Sequence, residues 1–363
     1  MKIVIAPDSF KGTLSAAEVA DGLRTHLSAR FPDAEIVAMP VADGGEGLVE
    51  CLERTAGARR VSCRVTGPLF EKVDARFLLT DDFAVVETAQ AAGLPMVDPP
   101  QVMRTTTLGV GEMIVLAEQL GAKQVLLGLG GSATNDMGCG MAAALGCRFW
   151  NGTDYFVPVG GTLGDVQRIE YGPRHNIVAL CDVKSPLYGP QGAAYVYGPQ
   201  KGATAADVVA LDQGLRHVAQ LLQADGKQGF DVEGAGAAGG LGAGVIAFAG
   251  GKLRRGIDAV LDALHFDETV AAADLVITGE GRLDTQSFAG KVIDGILARC
   301  KCPVVAVVGQ QAAGPNYAQW GLSAVFATAD HLPAGADYRK EAHRTLLAAA
   351  DVLADWIDAN VAE

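Results

Sequence analysis

The segment MKIVIAPDSFKGTLSAAEVADGL, residues 1–23, decides the fold because it contains a strand, a charged loop and a helix start in that order. The run from Ile3 to Ala6 is apolar and mostly β-branched, which is typical of a buried strand. Ser15 is predicted to cap a helix from about Ala16 to Ala29, and Glu18 stands at the capping-box position after it. The segment is therefore predicted to form one strand-loop-helix unit.

A second unit of the same kind comes next, with a strand near Ile36 to Met39, a loop that begins at Asp43 and a helix that ends near Thr55. The pattern returns at the other end of the chain, where three strands and a long helix are predicted at Leu275–Thr278, Val304–Val308, Ala324–Ala327 and about Lys340–Asp358. Two parallel strands do not make a stable sheet alone. Five strands from both termini are therefore predicted to form one doubly wound, flavodoxin-like parallel sheet.

The middle of the chain does not follow the strand-loop-helix pattern. Three short strands joined by turns without helices are predicted at Val61–Val65, Val73–Leu79 and Ala84–Glu87. We therefore predict an outer α/β domain, residues 1–57 plus 266–363, and an inserted α/β domain of mixed sheet, residues 58–265. A length of 363 residues agrees with about two domains. Ligands are expected in the cleft where the domains meet, because small-molecule sites favour such junctions.

The composition narrows the classes of partner. A formal net charge of -13 repels polyanions, and Lys and Arg do not cluster with aromatic residues, so nucleic acid is not expected as a partner. The longest apolar runs fall well short of the roughly 20 residues that cross a bilayer. No secretion signal precedes the first strand, so a cytoplasmic protein without a membrane partner is expected. The seven cysteines are scattered and are expected to be reduced.

A glycine-rich loop follows the predicted strand Val125–Leu129 and precedes a helix. Free backbone N–H groups, hydroxyls, an amide and a carboxylate in such a place suit phosphate and magnesium. The residues assigned to nucleotide binding here are Gly128, Gly130, Gly131, Ser132, Thr134, Asn135 and Asp136. The structural alternative is a tight turn that needs glycine conformations. A second glycine-rich stretch, Gly234–Gly244, is interpreted as a flexible loop or a tightly packed helix start.

The first glycine-rich loop also fits the pattern of a dinucleotide site, so a nucleotide-dependent oxidoreductase is the rival enzyme class. A non-catalytic sugar-acid binding protein is a third hypothesis. The oxidoreductase would need a second strand that ends in an acid, whereas the region Arg148–Phe156 is aromatic and turn-like. No Gly-x4-Gly-Lys-Ser/Thr sequence occurs in the chain, which excludes a P-loop mechanism.

Candidate catalytic and binding residues follow three strands of the predicted outer sheet. They are Asp8, Ser9 and Lys11 after the first strand, Asp43, Gly44, Gly45 and Glu46 after the second, and Glu280, Arg282 and Asp284 after the third. The carboxyl edge of an open α/β sheet is where ligands bind, so these side chains are expected to be neighbours. Phosphoryl transfer needs carboxylates for Mg²⁺, cations for phosphates and an acceptor for the proton of the attacking hydroxyl. Each residue taken singly is equally explained as a helix cap or a solvated loop charge.

Two residues of the inserted domain are further candidates. Asp182 stands at the end of a predicted strand and Lys201 lies in a Pro/Gly loop, and both are poor core residues but suitable site residues. Thr107 is interpreted as a helix N-cap. The six histidines show no spacing typical of metal ligands.

Five ordered motifs together resemble the bacterial glycerate kinase family: IAPDSFKG at 5–12, ADGGEG at 42–47, GGSATND at 130–136, GPQKGA at 198–203 and TGEG at 278–281. The resemblance covers the chain from residue 1 to the last helix. It implies a two-domain α/β fold and an ATP-dependent phosphotransferase with an alcohol group as acceptor, which phosphorylates D-glycerate, most often at the 2-hydroxyl. The stretch DVKSP at 182–186 departs from the family pattern, in which Thr-Asn is expected after Val, so the role of Lys184 stays open.

Together, the residues and the resemblance predict that Mg²⁺-ATP and glycerate meet in the interdomain cleft. The glycine-rich loop and Lys201 are expected on the phosphates, and Lys11 or Arg282 on the glycerate carboxylate or the transferred phosphoryl group. The metal is assigned to Asp8, Asp43 and Glu280, and catalysis to Asp8, Lys11, Asp43 and Asp182. The phosphorylated hydroxyl, the domain that binds adenine, the general base and the oligomeric state stay open.

Overall fold

A computed structural model describes residues 1–44, 47–54, 57–288, 291–312 and 316–361. The chain divides into two units, Met1–Arg54 with Arg255–Glu363, and Thr55–Arg254. The sequence had predicted boundaries at 57/58 and 265/266. The second boundary differs because a helix that begins at Gly256 packs on the first unit, where a Cβ added to Gly256 would lie 1.7 Å from the backbone oxygen of Asp43.

The strands, in chain order, are β1 (Lys2–Pro7), β2 (Glu35–Ala38), β3 (Arg59–Thr66), β4 (Lys72–Leu79), β5 (Phe83–Glu87), β6 (Gln124–Gly128), β7 (Arg148–Asn151), β8 (Asp154–Phe156), β9 (Arg168–Glu170), β10 (Ile177–Leu180), β11 (Lys252–Arg254), β12 (Leu275–Leu283), β13 (Val304–Gln311) and β14 (Leu322–Ala327). The α-helices are α1 (Ala16–Arg30), α2 (Leu48–Leu52), α3 (Ala89–Ala92), α4 (Leu108–Gln119), α5 (Cys139–Ala144), α6 (Ala193–Tyr197), α7 (Ala205–Ala224), α8 (Ala237–Ala247), α9 (Gly256–Ala263), α10 (Phe266–Val270), α11 (Val292–Leu297) and α12 (Tyr338–Asn360). Short 3₁₀ turns lie between them at Leu94–Met96, Gly160–Asp165, Pro199–Lys201, Thr285–Phe288, Tyr317–Trp320 and Thr328–His331.

The first unit is built on a parallel sheet in the order β2-β1-β12-β13-β14. Strand β1 pairs in parallel with β2 on one side and with β12 on the other, for example Ile5 with Ala38 and with Ile277. Strands β13 and β14 extend the sheet in the same direction. The predicted flavodoxin-like sheet, made of strands from both ends of the chain, is confirmed. Its order reverses between β1 and β12, which is the point where ligands bind in such sheets.

Helices α1 and α12 cover one face of this sheet. Leu23 and Leu27 of α1 and Leu346 and Leu353 of α12 are fully buried in one core with the sheet residues. The capping box predicted at Ser15 is present, since its hydroxyl accepts from Glu18 N at 3.2 Å and the Glu18 carboxylate accepts from Ser15 N at 2.7 Å. Such a cap contributes about 1 kcal/mol and fixes where α1 begins, next to the loop after β1.

The second unit contains a mixed sheet in the order β3-β4-β5-β6-β10-β11. The pairs β3/β4 and β4/β5 are antiparallel, whereas β5/β6, β6/β10 and β10/β11 are parallel. This arrangement confirms the mixed sheet that the turn-linked strands predicted. A small antiparallel sheet of β7, β8 and β9 accompanies it. Among the described residues, no helix is both long and apolar enough to span a membrane.

Candidate functional site

The carboxyl edge of the parallel sheet carries three acidic residues in the first unit. Asp8 directly follows β1, Asp43 follows β2, and Glu280 lies within β12. Because β1 lies between β2 and β12, these residues come from three adjacent strands. Their charges interact, since Asp43 raises the pKa of Asp8 and Asp8 raises the pKa of Glu280. The sequence prediction that these acids become neighbours therefore agrees with the geometry.

Asp8 is a buried acid with little hydrogen bonding. Its side chain is 8% exposed, and its Oδ1 accepts from Ser9 N at 2.6 Å. The pKa of Asp8 is raised to about 6, chiefly by burial and also by the charge of Asp43, whereas Ser9 and Lys11 partly offset both effects. A carboxyl group with this pKa is ionised at neutral pH and is more basic than an exposed aspartate.

Glu280 is half-buried, and its pKa is also raised. Burial raises the pKa of Glu280 to about 7, with smaller increases from Asp8 and Asp284, whereas Ser287 and Lys291 lower it. Its Oε1 is buried and has no hydrogen-bond partner among the residues that the structure describes. A buried carboxylate oxygen without a donor is costly, so this oxygen is suited to bind a cation or to accept from a ligand.

A cavity of about 220 Å³ opens beside Asp8. Its wall is formed by the loop after β1, the start of α1, the segment after β2 and part of α2, and the lining residues are Asp8, Ser9, Lys11, Gly12, Thr13, Leu14, Ser15, Ala16, Ala17, Pro40, Val41, Ala42, Gly47, Glu50 and Cys51. The loop holds its shape because Phe10 is buried in the core and pairs with Leu14. The cavity therefore combines a buried acid, the cation of Lys11 and the N-terminus of a helix.

Several other predicted residues of this edge have different placements. Strand β12 continues to Leu283 because it pairs with β13 as far as Gln311, so Glu280 and Arg282 lie in the strand and not in a loop as predicted. Arg282 is exposed and lies 3.9 Å from the Asp284 carboxylate. Asp43 is half-buried and Gly44 is buried with a positive φ of 93°. Gly45 and Glu46 lie outside the described residues.

The predicted metal ligands were Asp8, Asp43 and Glu280. Among the residues that the structure describes, no group of three or more His, Cys, Asp or Glu side chains is arranged to enclose a metal ion. Mg²⁺ in phosphoryl-transfer sites commonly uses one or two carboxylates, with phosphates and water as the other ligands. The electrostatically coupled acids and the unpartnered Glu280 Oε1 fit that smaller requirement.

The glycine-rich loop of the second unit is largely buried. It follows β6, and only Gly130 and Gly131 are exposed, whereas all residues from Ser132 to Gly140 are buried. The two exposed glycines form a turn in which Gly131 has a positive φ of 72°. Neighbouring backbone holds the loop at the end of this turn and just after it, because Gly131 O accepts from Leu94 N and Ala133 N donates to Ala92 O, both at 2.8 Å.

Asp136 has a role that the sequence did not predict. Its carboxylate is fully buried and accepts hydrogen bonds from Thr107 N and Oγ1, both at 2.8 Å, from Gly138 N at 3.0 Å and from Gly140 N at 3.2 Å. These donors lie at the starts of α4 and α5. The N-terminus of α5, which we had expected to face phosphate, is therefore occupied by the protein's own carboxylate. Thr107 is the N-cap residue of α4 as predicted, although its hydroxyl bonds to Asp136 and not to its own helix.

Lys201 is also buried, with 3% exposure. Its Nζ donates to Ser132 Oγ at 2.9 Å and to the backbone oxygen of Thr134 at 2.7 Å. Burial lowers the pKa of Lys201 to about 8, and the negative charge of Asp136 partly opposes that shift. The predicted neighbourhood of Lys201 and the loop is present, and the ammonium group binds the loop itself.

Two residues between these charges have buried polar atoms that find no hydrogen-bond partner within the described ranges. They are the hydroxyl of Thr134 and both amide atoms of Asn135, and both residues are fully buried. Buried polar groups in native proteins are usually hydrogen-bonded, to protein, water or ligand. The assignment of Thr134 and Asn135 to ligand binding stays a prediction.

The second glycine-rich stretch packs directly on this loop. Helix α8 contains a left-handed kink at Ala238, Gly239 and Gly240, and a Cβ added to Gly239 would lie 2.0 Å from the backbone oxygen of Thr134. Of the two interpretations offered by the sequence, the tightly packed helix start is therefore correct. The run of closely spaced glycines was the available signal, but the sequence did not reveal which segment it contacts.

The remaining candidate, Asp182, is exposed just beyond β10. Lys184, whose role the sequence left open, forms an exposed ion pair with Glu233 at 3.3 Å. Surface pairs of this kind contribute little to stability.

Comparison with known proteins gives consistent matches along the chain. The model of the glycerate kinase family matches residues 3–358. A glycerate 2-kinase of Escherichia coli (strain K12) is 44% identical over 349 residues, which cover 90% of each chain. A glycerate kinase of Haemophilus influenzae is 42% identical over 370 residues, with 98% of each chain covered. A solved structure named as a glycerate kinase 2 from Salmonella typhimurium LT2 superposes with a TM-score of 0.86 at 39% identity, and covers 99% of this chain and 98% of its own.

Proposed function

The chain belongs to the glycerate kinase family, and from that premise we propose that it transfers the γ-phosphoryl group of ATP to the 2-hydroxyl of D-glycerate with the help of Mg²⁺. The observation that carries the proposal is the group of coupled acids at the carboxyl edge of the parallel sheet, beside a cavity that also contains a lysine. The product is then 2-phosphoglycerate, the outcome that the name of the Escherichia coli relative favours.

We assign glycerate to the cavity next to Asp8. The exposed ammonium of Lys11 is suited to the carboxylate of the substrate, which the protein's net charge of -13 would otherwise repel. Asp8 lines the same cavity and is our candidate for the group that accepts the proton of the attacking hydroxyl. Its burial supports this role, because a desolvated carboxylate is a stronger base than a hydrated one.

The metal would be held by Asp43 and Glu280 in this proposal. A carboxylate bound to Mg²⁺ is a weak base, so the ion and the proton are best received by different acids. Glu280 supports the assignment through its buried Oε1, for which the described part of the chain offers no hydrogen-bond partner. When bound, Mg²⁺ supplies positive charge that neutralises the phosphate oxygens during transfer.

The nucleotide phosphates are assigned to the exposed turn Gly130–Gly131. The ligand-binding roles of Thr134 and Asn135 stay predictions, because both side chains are fully buried. Backbone N–H groups in glycine turns bind phosphate because no side chain blocks the approach. The cleft location predicted from the sequence, and a catalytic role for Asp182, stay predictions.

The reaction is tested by incubating the protein with Mg²⁺-ATP and a panel of small hydroxy acids, followed by phosphorus NMR of the product. We expect one phosphate monoester on the 2-hydroxyl of glycerate and no turnover in excess EDTA. A 3-phosphate would correct the regiochemistry. Turnover of NAD(H), or glycerate binding without phosphorylation, would replace the proposal with one of the two rival functions.

The nucleotide turn is tested by Gly130→Ala. A Cβ at Gly130 meets no atom within 4 Å, and its φ is not positive, so stability should be unchanged. If phosphate approaches this backbone closely, the KM for ATP should rise by about tenfold, the equivalent of one lost hydrogen bond. Gly164→Ala is the matched control, because Gly164 is also exposed, open and free of positive φ. Equal KM values in the two variants would remove the turn from the nucleotide site.

A further inference from the structure

Lys201 carries an ammonium group that is buried. A lysine that binds phosphate in an open site keeps its ammonium group within reach of the ligand, but Lys201 is 3% exposed. Its Nζ already donates to Ser132 Oγ and to Thr134 O, at 2.9 and 2.7 Å. Burial of an ammonium group is costly, and these two hydrogen bonds offset part of that cost.

Asp136 complements Lys201 from the other end of the same loop. Its carboxylate accepts four hydrogen bonds, and through Gly138 and Gly140 it ties the end of the loop to the start of α5. Through Thr107 it also ties the loop to the start of α4. The two buried charges therefore restrain the segment Ser132–Gly140, and the turn Gly130–Gly131 immediately before it is the exposed part.

We propose that Lys201 and Asp136 are positioning residues, which fix Ser132–Asp136 so that the turn Gly130–Gly131 is preformed for the phosphates of the nucleotide. Neither residue touches ATP. Preformed donors bind phosphate more tightly than mobile ones, because the entropy of ordering the loop is lost on folding and not on binding. The identity of the ligand rests on the proposed function, whereas the restraint of the loop does not.

Lys201→Met is the decisive variant, because it keeps most of the buried side-chain volume and removes both hydrogen bonds. Two quantities are measured in the absence of glycerate: hydrogen exchange of peptides covering residues 128–136 in the ligand-free protein, and the Kd for Mg²⁺-ADP. We expect exchange in this loop to quicken about tenfold or more, with the first-unit peptides unchanged, and the Kd to rise by about tenfold. Lys123→Met is the control, since Lys123 is an exposed lysine of the same unit paired with Asp82.

Ser132→Ala is a milder second variant in case Lys201→Met fails to fold. It removes one of the two acceptors of Lys201, so we expect smaller increases in loop exchange and in the Kd for Mg²⁺-ADP. The variant that combines Ser132→Ala with Lys201→Met should show the same exchange and the same Kd as Lys201→Met alone. This non-additivity distinguishes positioning through Ser132 from independent contacts with the ligand.

A weaker Kd with unchanged loop exchange would mean that Lys201 contacts phosphate directly, and would overturn the inference. Faster loop exchange with an unchanged Kd would leave a purely structural role, and would overturn it as well. Both results are independent of glycerate turnover. A wild-type protein that binds Mg²⁺-ADP but does not phosphorylate glycerate would therefore refute the proposed function and leave this inference standing.

Discussion

Asp8 and Asp136 are both buried acids next to a loop that follows a parallel strand, but their surroundings differ. Asp136 accepts four hydrogen bonds from the backbone and side chain of Thr107 and from two glycines. The hydrogen bonds that Asp8 accepts within the described part of the chain come from Ser9, and it lines a cavity. Burial alone therefore does not identify a catalytic acid. An acid whose acceptor positions are filled holds the fold together, and one whose positions are open is available to a ligand.

The largest expected effect is on turnover in Asp8→Asn. Loss of the charge should reduce kcat by about a hundredfold or more, because the group that accepts the proton is then absent. The melting temperature should not fall, since the variant also removes the cost of burying a charge, a cost that is visible in the raised pKa of Asp8. Steady-state kinetics and thermal denaturation measure the two quantities.

Asp43→Asn should lower kcat in the same way, and Asp154→Asn is the control for both. Asp154 is exposed in β8, so its replacement should alter neither quantity. If Asp8→Asn and Asp43→Asn keep near-normal kcat, these loops are structural, and the chemistry must be sought around Asp182.

For Asp136→Asn, the main expected effect is on stability and not on turnover. An amide group directs an N–H toward donors that need an acceptor, so at least one of Gly138 N, Gly140 N and the Thr107 groups loses its hydrogen bond in a fully buried site. The free energy of unfolding should fall by about 2 kcal/mol, the cost of one buried unsatisfied group. Urea denaturation measures the change. If Asp136→Asn is as stable as the wild type, Asp136 does not have the structural role that distinguishes it from Asp8.

The sequence predicted the fold better than it predicted the roles of these acids. The patterns of strands and helices are local features of the sequence, so the alternation of strands and helices at both termini was sufficient to predict the parallel sheet. The turn-linked strands Val61–Val65 and Val73–Leu79 were sufficient to predict the mixed sheet. The proximity of Asp8 and Asp43 could also be predicted from the sequence, because strand ends in an open sheet share an edge. The hydrogen-bond partners of Asp136 could not be predicted, since Thr107 lies 29 residues away in the sequence and comes close only through packing of α4 against α5.

A smaller effect is expected for Lys11→Met in the first unit. Lys11 is exposed, so the loss of its charge should leave stability unchanged. The KM for glycerate should rise by about tenfold if the ammonium group offsets the substrate carboxylate. Glycerol as an alternative acceptor provides the check, because it lacks the carboxylate and its turnover should respond less to the substitution. Equal losses with both acceptors would place the charge of Lys11 on the phosphoryl group.

The smallest effect concerns the pH dependence of stability in the second unit. Burial lowers the pKa of Lys201 to about 8 from an ordinary value of 10.5, so between these values the unfolded chain binds more protons than the folded one. The cost of the buried charge is present in full below pH 8 and is relieved as the pH rises toward 10.5. Stability contributed by this position should therefore increase with pH, in contrast to a lysine whose pKa is raised by an ion pair.

Comparison of the wild type with Lys201→Met by urea denaturation isolates this contribution. From pH 8 to pH 9 the wild type should gain about 1 kcal/mol relative to the variant, close to the value of one pKa unit. Lys123→Met should show no such gain, because Lys123 is exposed and its hydrogen bond and ion pair with Asp82 raise the pKa of its ammonium group. A difference that stays flat over this range would mean that the charge of Asp136 keeps Lys201 protonated. The loop would then be held by a pair of opposite charges, and the neutral amine would play no part in its stability at high pH.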